Sequence, residues 1–346
     1  MKHRLFRLKP ITDGHFRGVG VTLSMHLWTR GENDMVLNYE DLPTFDGTSD
    51  KHAWELDSSD RGTLNRITDQ VRQAAAREVR LGRSFALGLP LNHAVTTLSP
   101  DRNPPLHVEL VDRGGSDDKL DNFYPQGASH WDGLRHIRYG RHGFYGGLQQ
   151  DHLENGRLGI DRLAPEGIFT RGVLADVAAM RKRSGTPLDP TSRDLITTED
   201  IENALESQGS QLRSGDILII RTGWLGWYEG LSAAQKHHLQ GSLTAGGLNS
   251  PGVSPDTKMA QWFWDSGLAA VAADNPAVEA LPIEKEEGFL HRRMLALLGM
   301  PFGELWAVDE LAEFCAAHGR YEFLLVSVPL LLPKGSGSPA NAIAVF

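Results

Sequence analysis

The sequence predicts an α/β or mixed α+β fold, and three observations carry that expectation. Short apolar runs of the kind buried on both faces of a sheet recur along the chain. Capped helical stretches are intermixed with them. There is no internal repeat, low-complexity tract or convincing linker, which favours one domain. Residues 1–55 are irregular and rich in Gly, Asp and Thr, and read as an arm with little regular structure ahead of a single domain over 56–346. Residues 68–82 predict a helix: Thr68 suits the N-cap, Asp69 the positive first turn and Gly82 the stop. Residues 84–90 read as a strand, and 101–125, polar and rich in Pro and Gly, as a loop. Residues 167–176 form an apolar strand that runs into a helix over 177–183, and 197–207 a capped helix. The runs at 216–221 and 269–274 are apolar strands, the second ending in Asp274. Residues 288–299 predict an amphipathic helix carrying His291, and 321–327 a late strand.

With 346 residues the chain can bury a large core, and its 40% hydrophobic and 23% charged residues are an ordinary globular balance. A net charge of −9 and the lack of a Lys/Arg-rich run argue against nucleic acid as a partner. The N-terminus is basic but no apolar run follows, so neither a secretory signal nor a membrane span is expected. A single cysteine, Cys315, excludes an intrachain disulfide and fits a reducing cytoplasm; its helical context reads as a buried small hydrophobe. There is no phosphate-binding Gly-x-x-x-x-Gly-Lys-Ser/Thr loop and no Gly-x-Ser-x-Gly nucleophile elbow, and Gly18-Val-Gly20 lacks the context of a dinucleotide fingerprint.

The chemistry concentrates in Gln126-Gly-Ala-Ser-His130-Trp-Asp132-Gly-Leu-Arg-His136. Neutral imidazole and carboxylate are what a borderline divalent ion such as Zn²⁺ or Mn²⁺ prefers. In an extended chain His130 and Asp132 point to one side, and a turn at Gly133 can bring His136 back over the same spot. This is half of a metal site, since further ligands must come from elsewhere. His291 and Glu304 stand out later in the chain, though spacing alone does not link them to residue 130. Taken singly, each has a bland reading: a His-x-Asp pair is common, His136 can bond a backbone carbonyl, His291 can be a satisfied core histidine, and Glu304 an ordinary surface acid. His142, His152 and the pair His237-His238 read as solvent-facing, and most of the tryptophans, among them Trp224, Trp227, Trp262 and Trp264, as core. Trp131, Phe123, Tyr124, Phe144 and Tyr145 surround the motif and can wall a pocket; Asp274 lines it or caps a turn.

The chain resembles the cyclase family of metal-dependent hydrolases, the group that includes bacterial kynurenine formamidases and isatin hydrolases. The family's His-x-Gly-Thr-His-x-Asp-x-x-x-His frame is matched by residues 126–136, with Gln126 in place of the first histidine and Ala128-Ser129 in place of Gly-Thr. Arg61-Gly-Thr-Leu-Asn65, Ala273-Asp-Asn-Pro-Ala277 and Ser336-Gly-Ser-Pro-Ala-Asn-Ala-Ile-Ala344 also resemble family segments, in order. The resemblance implies a swivelling β/β/α fold, a mixed sheet or flattened barrel flanked by helices. It implies His130, Asp132, His291 and Glu304 as metal ligands, with Gln126 as a further candidate, and His136 as acid/base. The metal would be Zn or Mn, and the protein a homodimer or homotetramer acting on a small molecule.

A divalent metal lowers the pKa of its water, to about 7 in good zinc sites. Histidine's ordinary pKa, about 6.5, suits His136 to carry the proton to a leaving nitrogen or oxygen. The expected activity is hydrolysis of a non-peptide C–N or C–O bond in a cyclic amide, imide, formamide or lactone. A narrower alternative is an arylformamidase acting on N-formylkynurenine. A non-catalytic binding protein that retains the fold is the rival that Gln126 favours.

Overall fold

The apolar runs near 170, 218 and 271 meet as the parallel middle of a nine-stranded sheet in the computed structural model, which describes residues 37–45, 48–244, 247–284 and 286–346. The strands are β1 (Ser84–Ala86), β2 (Leu106–Val111), β3 (Ser116–Asp121), β4 (His130–Asp132), β5 (Ile168–Ala175), β6 (Leu195–Ile196), β7 (Ile217–Ile220), β8 (Gly252–Val253), β9 (Ala270–Ala273), β10 (Phe302–Glu304), β11 (Glu322–Ser327), β12 (Gly337–Pro339) and β13 (Ile343–Val345). The large sheet runs β1-β13-β11-β5-β7-β9-β10-β4-β12 and curls into a half-barrel. β5, β7, β9 and β10 are parallel neighbours; the pairs outside them are antiparallel. β6 and β8 form a small parallel pair, and β2 and β3 a separate hairpin.

Every residue of β7 and β9 is buried, because layers cover both faces of the sheet. Strand alternation sorts the side chains: Leu218, Ile220, Val271, Ala273 and Phe302 enter one core, while Ile217, Ile219, Ala270, Ala272 and Trp131 enter the other. Helices α1 (Asp69–Ala76) and α8 (Asp309–His318) flank the second core, and α3 (Val177–Arg183), α4 (Thr198–Gln208) and α7 (Thr257–Asp265) the first. The short helices α2 (Gln150–Glu154), α5 (Trp224–Glu229) and α6 (Ala233–His238) lie in the connections.

The start signals read from sequence hold. Thr68 caps α1 by accepting from the Val71 amide at 3.3 Å, and Thr197 and Asp200 form a capping box on α4. α1 ends at Ala76 rather than near Gly82, because 77–82 has little apolar surface to bury and the Leu81 and Gly82 amides bond the carbonyl of Phe346. β1 is shorter than the expected 84–90, although the Leu87 amide still bonds Ala342. The expected loop over 101–125 contains the β2–β3 hairpin. The expected amphipathic helix over 288–299 is a π-helix, Arg292–Leu298, whose residues Met294–Leu298 are all buried, so it has no solvent face there. Of the expected arm, residues 1–36 lie outside the described residues; Tyr39, Leu42 and Ala53 join the first core. Among the described residues no helix is long and apolar enough to cross a membrane.

Candidate metal centre

β4 is three residues long, and its alternation decides the site. His130 and Asp132 face one side of the sheet and Trp131 the other. β10 pairs with β4 antiparallel so that Glu304 lies opposite His130, on the same face. Ser129 fixes this junction: its hydroxyl donates to the Leu305 carbonyl at 2.5 Å and accepts from the Leu89 amide at 2.9 Å. The Trp306 indole donates to the His130 carbonyl at 3.2 Å.

His130 Nδ1 donates to the Ala128 carbonyl at 2.7 Å, which leaves Nε2 pointing into the cluster. There it stands 3.2 Å from Glu304 Oε2 and 3.4 Å from Asp132 Oδ1. His291, the residue before the π-helix, brings its Nε2 to 2.9 Å from Glu304 Oε1 and 3.6 Å from Asp132 Oδ2. All four residues are buried, and ligand atoms of His130, Asp132 and Glu304 lie within 4.8 Å of one another. Burial alone would lower the His130 pKa, but Asp132 and Glu304 outweigh it and push it up to about 10. His291 is raised well above its ordinary value, burial again being outweighed, here by Asp132, Glu279 and Glu304. Burial opposes ionisation of Asp132 and Glu304, yet both are lowered: the imidazoles outweigh it, and for Glu304 also the charge of Asp132. Two carboxylates that hold two imidazoles this tightly form a donor set that fits a divalent cation.

The turn after Gly133, closed by the His136 amide on the Gly133 carbonyl at 2.9 Å, carries His136 to the cluster's rim. Its Nε2 lies 3.5 Å from Asp132 Oδ2, and its side chain is 30% exposed, so it alone of these histidines faces open space. Gln126 touches both neighbours: its Nε2 bonds Asp132 Oδ1 and lies 3.1 Å from His136 Nδ1. The residue in the place of the family's first histidine thus orients a carboxylate rather than presenting an imidazole.

These groups line one end of a cavity of about 190 Å³. Its other walls include Leu98, Leu243, Leu281, Phe289 and Leu305, and among the described residues of the lining Arg102 is the one basic side chain other than histidine. The aromatic wall expected from sequence is not there. Trp131 is fully buried in the opposite core and donates to Ser327 Oγ at 2.8 Å. Phe123 and Tyr124 are half-buried outside the cavity lining, and Phe144 and Tyr145 belong to a separate cluster with Leu134. Asp274 is also off the cavity: it accepts from the Thr222 amide and hydroxyl, each at 2.7 Å, and from the Gly223 amide at 2.8 Å, which fixes the start of α5. Its burial pushes its pKa up to about 6. His142, expected in solvent, is half-buried with its ring centroid 4.7 Å from that of Phe45.

Two residues were not found by sequence reasoning. Glu279, with no exposed surface, accepts from His291 Nδ1 at 2.5 Å and from the Leu290 amide at 2.9 Å. It is a buried carboxylate placed to hold the His291 ring in one orientation. The other is Arg102.

The model of the Cyclase family, described as "Putative cyclase", matches residues 22–280. Among curated proteins none matches. The solved structure of a novel cyclase is similar with 32% identity and a TM-score of 0.71, over 84% of this chain and 97% of that one. Isatin hydrolase A from Ralstonia solanacearum is similar at 17% identity and TM-score 0.54, over 76% and 92% of the two chains. Isatin hydrolase A from Labrenzia aggregata has the same identity and TM-score, over 82% and 98%. A family match across most of the length, joined to a structural relative of nearly a third identity, places the chain in the cyclase family.

Proposed function

We propose that the protein is a metal-dependent hydrolase that cleaves a non-peptide C–N or C–O bond of a small cyclic amide, imide, formamide or lactone. The observation that carries this reading is the convergence of His130, Asp132, His291 and Glu304, drawn from two distant parts of the chain, on the wall of one cavity. The fold shared with isatin hydrolases agrees with it. His130, Asp132, His291 and Glu304 would hold the ion, which supplies Lewis acidity and an acidified water at neutral pH. His136 moves the proton: it lies beside the ligands, faces the cavity and is steadied by Gln126. The apolar walls exclude water from the acyl group and orient it towards the polar end.

The test is elemental analysis of protein produced with Mn or Zn, together with turnover of a lactone, imide and formamide panel. Wild type should carry stoichiometric metal and His130→Ala should lose it. His136→Ala should keep the metal and lose turnover by roughly 10²- to 10⁴-fold. A protein that takes up no metal under any loading, with turnover untouched by His130→Ala, overturns the reading.

A further inference from the structure

Arg102 is out of place in the cavity by every ordinary measure. The wall around it is aliphatic and aromatic, and the charged groups beyond it are the ligand carboxylates and the histidines. Most arginines of this acidic chain that sit near its interior are paired with a carboxylate, as Arg171 is with Asp216, Arg181 with Asp200 and Arg221 with Asp176. The one hydrogen bond that Arg102 makes among the described residues is from its NH1 to the backbone carbonyl of Gln126. A guanidinium has five N–H donors in a fixed fork. One holds the fork in place, and the others remain for a ligand.

Position gives this cation a meaning. The carbonyl that anchors Arg102 belongs to the residue whose side chain touches Asp132 and His136. A single residue therefore spans from the guanidinium to the reacting end of the cavity. Charge points the same way. A divalent ion offsets Asp132 and Glu304, and Glu279 is satisfied internally by His291 and two backbone amides. Among the described residues of the wall, what remains is the positive charge of Arg102 beside apolar surface.

We propose that Arg102 is a specificity-determining residue that selects a monoanionic substrate: an apolar body carrying a carboxylate close to the bond that is cut. The inference deepens the hydrolase reading and rests on it, because the charge balance includes the metal. The apolar body lies against Leu98, Leu243, Leu281 and Phe289, and the carboxylate takes the free edge of the fork. Neutral compounds of the same shape leave a half-buried guanidinium without its anion and bind less well.

The experiment uses metal-loaded full-length protein and two matched probes, benzoate and its neutral counterpart benzamide, with binding measured by calorimetry. Metal content is determined on the same samples. Wild type should prefer benzoate over benzamide by roughly tenfold or more. Arg102→Met should abolish that preference with metal content unchanged, and Arg102→Lys should retain part of it. A benzoate preference that survives Arg102→Met means that the anion sits on the metal, and this overturns the assignment, as does equal binding of both probes by metal-loaded wild type. Either result leaves the hydrolase reading standing. Samples without metal overturn the hydrolase reading itself, and the charge balance with it.

Discussion

Glu279 and Gln126 stand behind the His130, Asp132, His291 and Glu304 cluster and orient it. Glu279 touches no substrate space, yet it fixes His291 through Nδ1 and through the backbone on which the ring is mounted. Glu279→Gln keeps the shape but removes the charge that orients His291. Metal affinity should fall by about 10- to 100-fold, read by equilibrium dialysis. An unchanged affinity would show that the π-helix backbone alone orients the ring. The pH response follows from the same groups. In metal-free protein His130 and His291 have raised pKa values, so their contribution to stability is complete below the unfolded value of 6.5. It is lost as pH climbs through the folded value, about 10 for His130. Asp132 and Glu304 are lowered, so theirs is present above 3.8 and 4.5 and is lost as pH falls through their folded values. A metal must displace the protons on the imidazoles, so the rise in Tm on adding Mn²⁺ to chelated protein should grow between about pH 6 and 8. A rise that shrinks over that range would contradict this arrangement. His130, Asp132 and His136 were legible in sequence because they are near neighbours; Glu279 and Arg102 were not, because nothing local marks a carboxylate or guanidinium whose partner comes from another element. Trp131 does not wall the cavity because strand alternation between His130 and Asp132 turns it to the opposite face.

At the level of elements, β4 is held between β10 and β12, and Gly337 makes the approach of β12 possible. A Cβ at Gly337 would lie 2.4 Å from Gln126 Cγ and 2.6 Å from the Trp131 carbonyl. On β10, a Cβ at Gly303 would lie 2.7 Å from Ala272 Cβ, so that glycine serves the approach of β9. Gly337→Ala should therefore destabilise the fold by about 1–3 kcal/mol in urea and displace Gln126 from Asp132. Stability equal to wild type would show that β12 can shift without cost. Helix starts were readable because a cap is a local device, as at Thr68 and Thr197. The hairpin was hidden by its polarity and flanking prolines, although Leu106, Val108 and Leu110 alternate with His107 and Glu109 and a Gly-Gly turn follows. The π-helix was misjudged because its apolar residues surround the axis, which only the layers on either side reveal.

For the molecule as a whole, the order of layers was implied by apolar strands alternating with capped helices. The position of β4 beyond the parallel strands was not, since no local pattern says which strand an isolated His-x-Asp will join. That position has a consequence for the order of events in folding. Ser129 bonds Leu305 across 176 residues of sequence, and the other neighbour of β4 begins only at Gly337. Until β10 and β12 have joined β4, the two parts of the centre are separate. Closing so long a loop is slow relative to local structure. A metal held by His130, Asp132, His291 and Glu304 would therefore arrive last, as a latch on a finished architecture and not as the seed around which it grows.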